Sequence, residues 1–289
     1  MGVHTLSNGL LSISINSFGA ELCSVKSNDI EYIWQADPAT WARHAPNLFP
    51  IVGKLNSGIY NYQTSVYELP QHGFARDHEF ICIEESEDTL IFEFTATDQT
   101  LINFPFHFSL QVSYILKNNK LITGYSVFNP DNADLYFSLG AHPAFNCPLQ
   151  PNEAFTDYEL QFNTLEFLTI HKLKEGLILE ETESVELMDH KLTLTTALFE
   201  KDALVLKSKQ IEGVKLVSKK TGHGVELICK NWPYFGIWAK PGTSTFLCLE
   251  PWCGIADTVN SNGRLEDKEG IIRLKSESRF DASFTLDFF

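Results

Sequence analysis

Three polar side chains stand in settings that suit proton transfer. His142 lies in the run GAHPAFN (Gly140 to Asn146), Glu250 in FLCLEPWCG (Phe246 to Gly254) and His72 in LPQHGFARD (Leu69 to Asp77). A carboxylate that ends a stretch of Phe, Leu and Cys must shed its hydration unless it opens onto a cleft. Partial burial there lifts its pKa toward that of a working base. His142 and Glu250 each precede a proline, which holds their backbone extended and limits where the side chains point. Such positions suit groups that must be held still. Counting along the segment before His142 puts Leu135, Phe137 and Leu139 on one face. Tyr136, Ser138 and His142 fall on the other, more polar face.

Each residue also has a plainer reading. His142 can be a core histidine bonded to the backbone, Glu250 a turn cap or the partner of a buried arginine, and His72 part of the turn made by Pro70 and Gly73. Arg76 and Asp77 can be a surface ion pair of little energetic value. Two neutral imidazoles and a carboxylate are also legitimate metal ligands if they converge. No metal is expected, however, and no cofactor: the chain has no P-loop, dinucleotide fingerprint, G-x-S-x-G elbow, H-E-x-x-H or EF-hand loop. Trp238, Trp252, Phe74 and Phe145 are core residues by default. Their nearness in sequence to the polar candidates suits stacking on the C–H face of a sugar.

Period-two alternation dominates the segments that must position these groups. Leu11, Ile13 and Ile15 alternate with serines; Leu90, Phe92 and Phe94 alternate with polar residues. FSLQVSYILKNNKLITGYSVFN reads as a hairpin turning at Lys117 to Lys120, and GVKLVSKKTGHGVELICK as another around Thr221 to Gly224. Near the C-terminus, Phe280, Ala282, Phe284, Leu286 and Phe288 share one face. Helical signals are short: Asp37 to Arg43, with an Asp cap and Pro38, and Thr195 to Leu204. Helices this sparse cannot cover a parallel sheet. The expected fold is all-β, a large antiparallel sandwich with few short helices, forming a single domain over residues 1–289.

Composition bounds the partners. The 289 residues are 44% hydrophobic, with 22 phenylalanines, which fits a core-rich globular protein. A net charge of −15 repels polyanions at long range, so neither nucleic acid nor an anionic membrane is an expected partner. No apolar run is long enough to span a bilayer, and the first residues lack a signal-peptide pattern. The six cysteines show no zinc-like spacing and read as reduced, buried small hydrophobes. A cytoplasmic location is expected.

FPIVGKLNSGIY (Phe49 to Tyr60), LPQHGFARD, GAHPAFN and CLEPWCG occur in the order and spacing of the aldose 1-epimerase (galactose mutarotase) family. The chain resembles that family, and its LacX-like members most, from the first strand to Leu274. The resemblance implies a β-supersandwich with a sugar cleft on a concave sheet face, and interconversion of the α and β anomers of an aldose. It implies Glu250 as the base at O1, His142 as the acid at the ring oxygen, and His72 as a group that holds and polarises the same oxygens. Lys54 falls where relatives carry a sugar-binding arginine; it keeps the charge and loses the bidentate fork. Arg76, Asn146, Trp238 and Trp252 are the other candidate substrate-binding residues. The substrate-binding aspartate of galactose-type enzymes has no counterpart in Gly236 to Ser244. Two other readings fit the same motifs. One is an epimerase of phosphorylated sugars, with Arg76, Lys54 and Arg43 as phosphate candidates. The other is a non-catalytic sugar-binding protein on the same scaffold.

Overall fold

Alternating sequence becomes antiparallel sheet throughout the computed structural model, which describes residues 2–207 and 209–289. The strand Ser109–Lys117 pairs with Lys120–Phe128 in unbroken register, from Ser109 opposite Phe128 to Lys117 opposite Lys120. Asn118 takes the positive φ of the expected tight turn, 57°. The second strand of this hairpin pairs with Arg279–Phe288, setting Leu121 against Leu286. On the inward face Leu110, Val112, Leu121, Val127 and Leu286 are fully buried. Each such side chain contributes roughly 1.5–3 kcal/mol relative to exposure.

Among the described residues, a nine-stranded and an eight-stranded sheet account for most of the strands. One continuous apolar cluster, running from Leu6 to Phe288, draws on both sheets. That is the large antiparallel architecture the alternation implies. No helix among the described residues is long and apolar enough to cross a membrane.

The two short helical signals come out as single turns. Asp37 to Arg43 forms one turn: Trp41 N–H donates to the Asp37 carbonyl at 2.8 Å, and Asp37 Oδ1 caps Ala39 N–H. The chain then leaves the helical path, because Trp41 is drawn against His142 and Phe246. Thr195 to Leu204 yields a 3₁₀ turn at Thr196–Phe199, followed by a strand. Among the described residues, the α-helix is Asp98–Asn103, where the Thr97 and Thr100 hydroxyls cap each other's backbone N–H groups.

The strand that carries Glu250 is Phe246–Cys253, buried along all eight residues. Leu247, Leu249 and Cys253 enter the main core, while Phe246, Cys248 and Trp252 belong to two smaller clusters. Period two puts Glu250 with the second set.

Candidate active site

A proline break aims His142. Leu139 and Gly140 pair with Cys253 and Trp252, and Ala144 resumes pairing opposite Cys248 in the same register. His142 therefore stands directly across from Glu250. Pro143 has no N–H to give the ladder, but its carbonyl still accepts from Leu249 N–H at 3.2 Å. The outcome is an imidazole Nε2 lying 3.2 Å from Glu250 Oε2. Trp41 stacks on the imidazole at a centroid distance of 5.1 Å and 26°, and Trp238 meets it edge-on at 5.7 Å. These two indoles fix the ring plane.

Glu250 has its own frame. Gly236 lies opposite it on the neighbouring strand, and a Cβ there would sit 2.4 Å from the Trp252 ring. A Cβ on Gly140 would fall 2.7 Å from the same ring. Glycine at both positions leaves room for Trp252 beside Glu250, which accounts for the first residue of GAHPAFN.

His72 reaches the same place from a loop. It adopts a φ of 67°, followed by Gly73 at 70°, and its backbone N–H donates to the Gly53 carbonyl at 2.9 Å. The turn leaves Gly73 so close to Phe49 that a Cβ would lie 2.2 Å from the Phe49 carbonyl oxygen. Gly53 N–H donates back to His72 Nδ1 at 3.2 Å. An imidazole cannot accept at both nitrogens, so the proton sits on Nε2; the Gln71 amide nitrogen, 3.2 Å away, then exchanges places with its oxygen so that the oxygen accepts. The His72 and His142 rings meet edge to face, 5.6 Å apart.

All three groups line one cleft of about 430 Å³. Its wall also holds Arg76, Trp238 and Trp252, together with Trp41, Gln71, Asp202 and Lys240. Burial governs the ionisation. It pushes Glu250 well above the usual carboxylate range, with Trp252 opposing and Asp202 adding to the rise. Burial also lowers His142 to about 3, helped by the positive charges of Arg76 and Arg43. His72 falls well below its ordinary value for the same main reason, with His142 next to it adding to the fall. Arg76 drops to about 10 through desolvation and the Arg43 charge. Its NH2 group donates to the Gln71 carbonyl at 2.6 Å, and its Nε, 3.7 Å from Asp77, has no hydrogen-bond partner.

Two expected residues are not brought into the cleft. Lys54 Nζ donates to the Glu175 carbonyl at 3.0 Å, so the amine is spent on a hairpin turn. Asn146 gives both N–H donors to the Glu31 and Ile33 carbonyls and ties the strand end to that segment. The metal-type grouping is also corrected. Among the described residues, His142 and Glu250 are joined by Cys248, not by His72.

Asp202 and Trp41 are functional candidates that sequence reasoning did not single out. Leu204 pairs with Ile237, so the loop carrying Asp202 runs beside the end of Tyr234–Trp238. A carboxylate reaches the cleft from one strand over, although Gly236 to Ser244 contains none. Asp202 is held at a φ of 115°, with its Oδ1 accepting from Ala203 N–H at 2.7 Å. That backbone strain is a site feature no local motif announces.

A buried carboxylate–imidazole pair thus lies in the wall of a tryptophan-lined cleft in an antiparallel β-sandwich. The aldose 1-epimerase family model matches residues 2–271, and the chain belongs to that family. It is 34% identical over 279 residues to the LacX proteins of Lactococcus lactis subsp. lactis, with 93% of each chain covered. A galactose mutarotase related enzyme from Lactobacillus acidophilus superposes with a TM-score of 0.95 at 34% identity, covering 100% of this chain and 97% of that one. A galactose mutarotase-like protein from Lactobacillus casei gives 0.91 at 29% identity, with both chains fully covered.

Proposed function

We propose that the protein interconverts the α and β anomers of an aldose by acid–base ring opening. The observation that carries this reading is the 3.2 Å contact between His142 Nε2 and Glu250 Oε2 at the cleft wall, with His72 beside it. Ring opening removes a proton from O1 and delivers one to the ring oxygen two bonds away. C1 then turns, and closure returns both protons with the roles exchanged. Two adjacent groups sharing one proton meet that demand, and the chemistry needs only orientation and modest proton transfer.

Burial favours the neutral carboxyl and the neutral imidazole, so in the free cleft the shared proton rests on Glu250. Sugar hydroxyls bonding to both groups offset the cost of shifting it to His142. Glu250 then takes the O1 proton while His142 protonates the ring oxygen. Trp41, Trp238 and Trp252 offer apolar faces to the sugar C–H groups, and Asp202, Gln71 and His72 offer partners to its hydroxyls. The test is proton NMR exchange on a panel of aldoses. At least one sugar should equilibrate faster than in buffer, and a panel indistinguishable from buffer would end the reading.

Arg76 favours a second reading. A guanidinium in the cleft wall is a ready anchor for an anionic substituent. The same panel should include sugar phosphates, and a salt-sensitive preference for them would select this version.

The pH dependence follows from the shared proton. The groups around the pair are His72, Cys248, Arg76, Arg43 and Asp202. The pair keeps its single proton above the His142 value of about 3 and below the raised Glu250 value. Within that window one group can give a proton and the other can take one. We therefore expect kcat/KM, measured with a chelator present and the buffer rate subtracted, to stay level through the acid range in which glutamates ordinarily ionise. It should fall at higher pH as the pair loses its proton. A rise of kcat/KM through the ordinary glutamate range would contradict this assignment.

A further inference from the structure

We infer that His142, Cys248 and Glu250 form a zinc-type cation site whose occupation switches the acid–base pair off. A ligand atom from each of these three buried residues lies within 4.8 Å of the other two. Cys248 and Glu250 are two residues apart on one extended strand and so share a face. The proline break places His142 opposite Glu250. Ligand bonds of about 2.0–2.3 Å in a tetrahedral ion set donor atoms roughly 3.3–3.8 Å apart. The 3.2 Å His142–Glu250 contact already meets that spacing, and the thiol needs a shift of at most about 1 Å.

The donor set selects the ion. Burial holds Cys248 as a thiol, which gives up its proton to solvent when the ion binds. The resulting imidazole, thiolate and carboxylate suit Zn²⁺ and its Co²⁺ and Cd²⁺ surrogates, whereas a single carboxylate offers too little oxygen for Mg²⁺ or Ca²⁺. Glu250 Oε2 is buried with His142 Nε2 3.2 Å away, so an ion takes the place of the proton that the two groups share. Three protein ligands leave a fourth position for water, and two of the three, His142 and Glu250, line the cleft.

The effect on catalysis is direct and rests on the proposed epimerase reading. The ion occupies the lone pairs of both groups that must carry protons. Neither can then act as acid or base, and the metal-bound protein is the inactive form. The sequence gives no zinc-like spacing because the ligands come from two strands and converge through sheet register. A second mixed group, His4, Cys82 and Glu85, lies partly exposed across two strand edges and is the natural control.

The site can be read without any activity. Co²⁺ titrated into the purified full chain should give a thiolate-to-cobalt charge-transfer band saturating at one equivalent, which ZnCl₂ then bleaches. The band should persist in Cys82→Ala and vanish in Cys248→Ala. Glu250→Gln keeps the side-chain shape and should weaken Co²⁺ binding by at least about tenfold, so it carries the test if Cys248→Ala fails to fold. No band in the wild type, a band surviving Cys248→Ala, a band lost in Cys82→Ala, or unweakened binding in Glu250→Gln overturns the site. With the sugar that responds in the NMR panel, one equivalent of Zn²⁺ should abolish interconversion and EDTA should restore it. Full activity in the zinc-loaded protein overturns the switch. Failure of the metal-free protein on every sugar sinks the epimerase reading while leaving the cobalt result to decide the site.

Discussion

Glu250→Gln should lose about 10²–10⁴-fold in the rate of anomer interconversion, the range a positioned acid–base group contributes. The substitution isolates proton transfer from structure. Burial already holds Glu250 toward its neutral carboxyl, and a carboxamide has nearly the same shape and polarity as that form. The buried strand Phe246–Cys253 therefore keeps its packing, and Tm should stay at or slightly above the wild-type value, since no buried charge has to be stabilised. What disappears is an oxygen able to release and recover a proton at O1. Thermal melts beside NMR exchange rates check both halves. A variant with unchanged Tm and wild-type rate would remove Glu250 from the chemistry; one with a collapsed Tm would show that the carboxyl holds the strand together.

Much of this arrangement was legible in the chain because it depends on local signals. Alternation fixed the hairpin at Lys117 to Lys120, down to the asparagine at positive φ. A carboxylate closing the run FLCLE could only be buried or face a cleft, and Glu250 does both. The misreadings have non-local causes. The parity count through Tyr136, Ser138 and His142 assumed one strand, yet Leu135–Phe137 pairs with Ile272–Leu274 and Leu139–Ala141 pairs elsewhere. Ser138, in the gap between them, is fully buried and accepts from Val52 N–H. His142 faces the cleft because the register that sets Gly140 against Trp252 and Ala144 against Cys248 runs on across Pro143 and puts it opposite Glu250. Lys54 and Asn146 carry suitable polar groups, but backbone carbonyls reached through the fold consume them. Asp202 comes from a strained loop that enters the cleft through the pairing of Leu204 with Ile237, which no spacing in the sequence records.

His142→Asn should cost a comparable factor of about 10²–10⁴, and its meaning lies in how it combines with the Glu250 change. Asparagine loses the titratable Nε2 that lies 3.2 Å from Glu250, and it surrenders the stacking surface for Trp41. Lost stacking alone would loosen the cleft and raise KM, whereas a lost proton carrier lowers kcat. Groups that act as one unit are grossly non-additive, because removing either member already forfeits the shared proton. The double variant Glu250→Gln, His142→Asn should therefore be about as slow as the slower single variant, with the residual rate coming from sugar orientation by the rest of the cleft. If the two losses multiply, the residues act on separate steps and the single-proton pair is the wrong description. If His142→Asn moves only KM, the imidazole is a wall of the cleft, and the acid that protonates the ring oxygen must be sought in His72, whose Nε2 carries a proton in the same cleft.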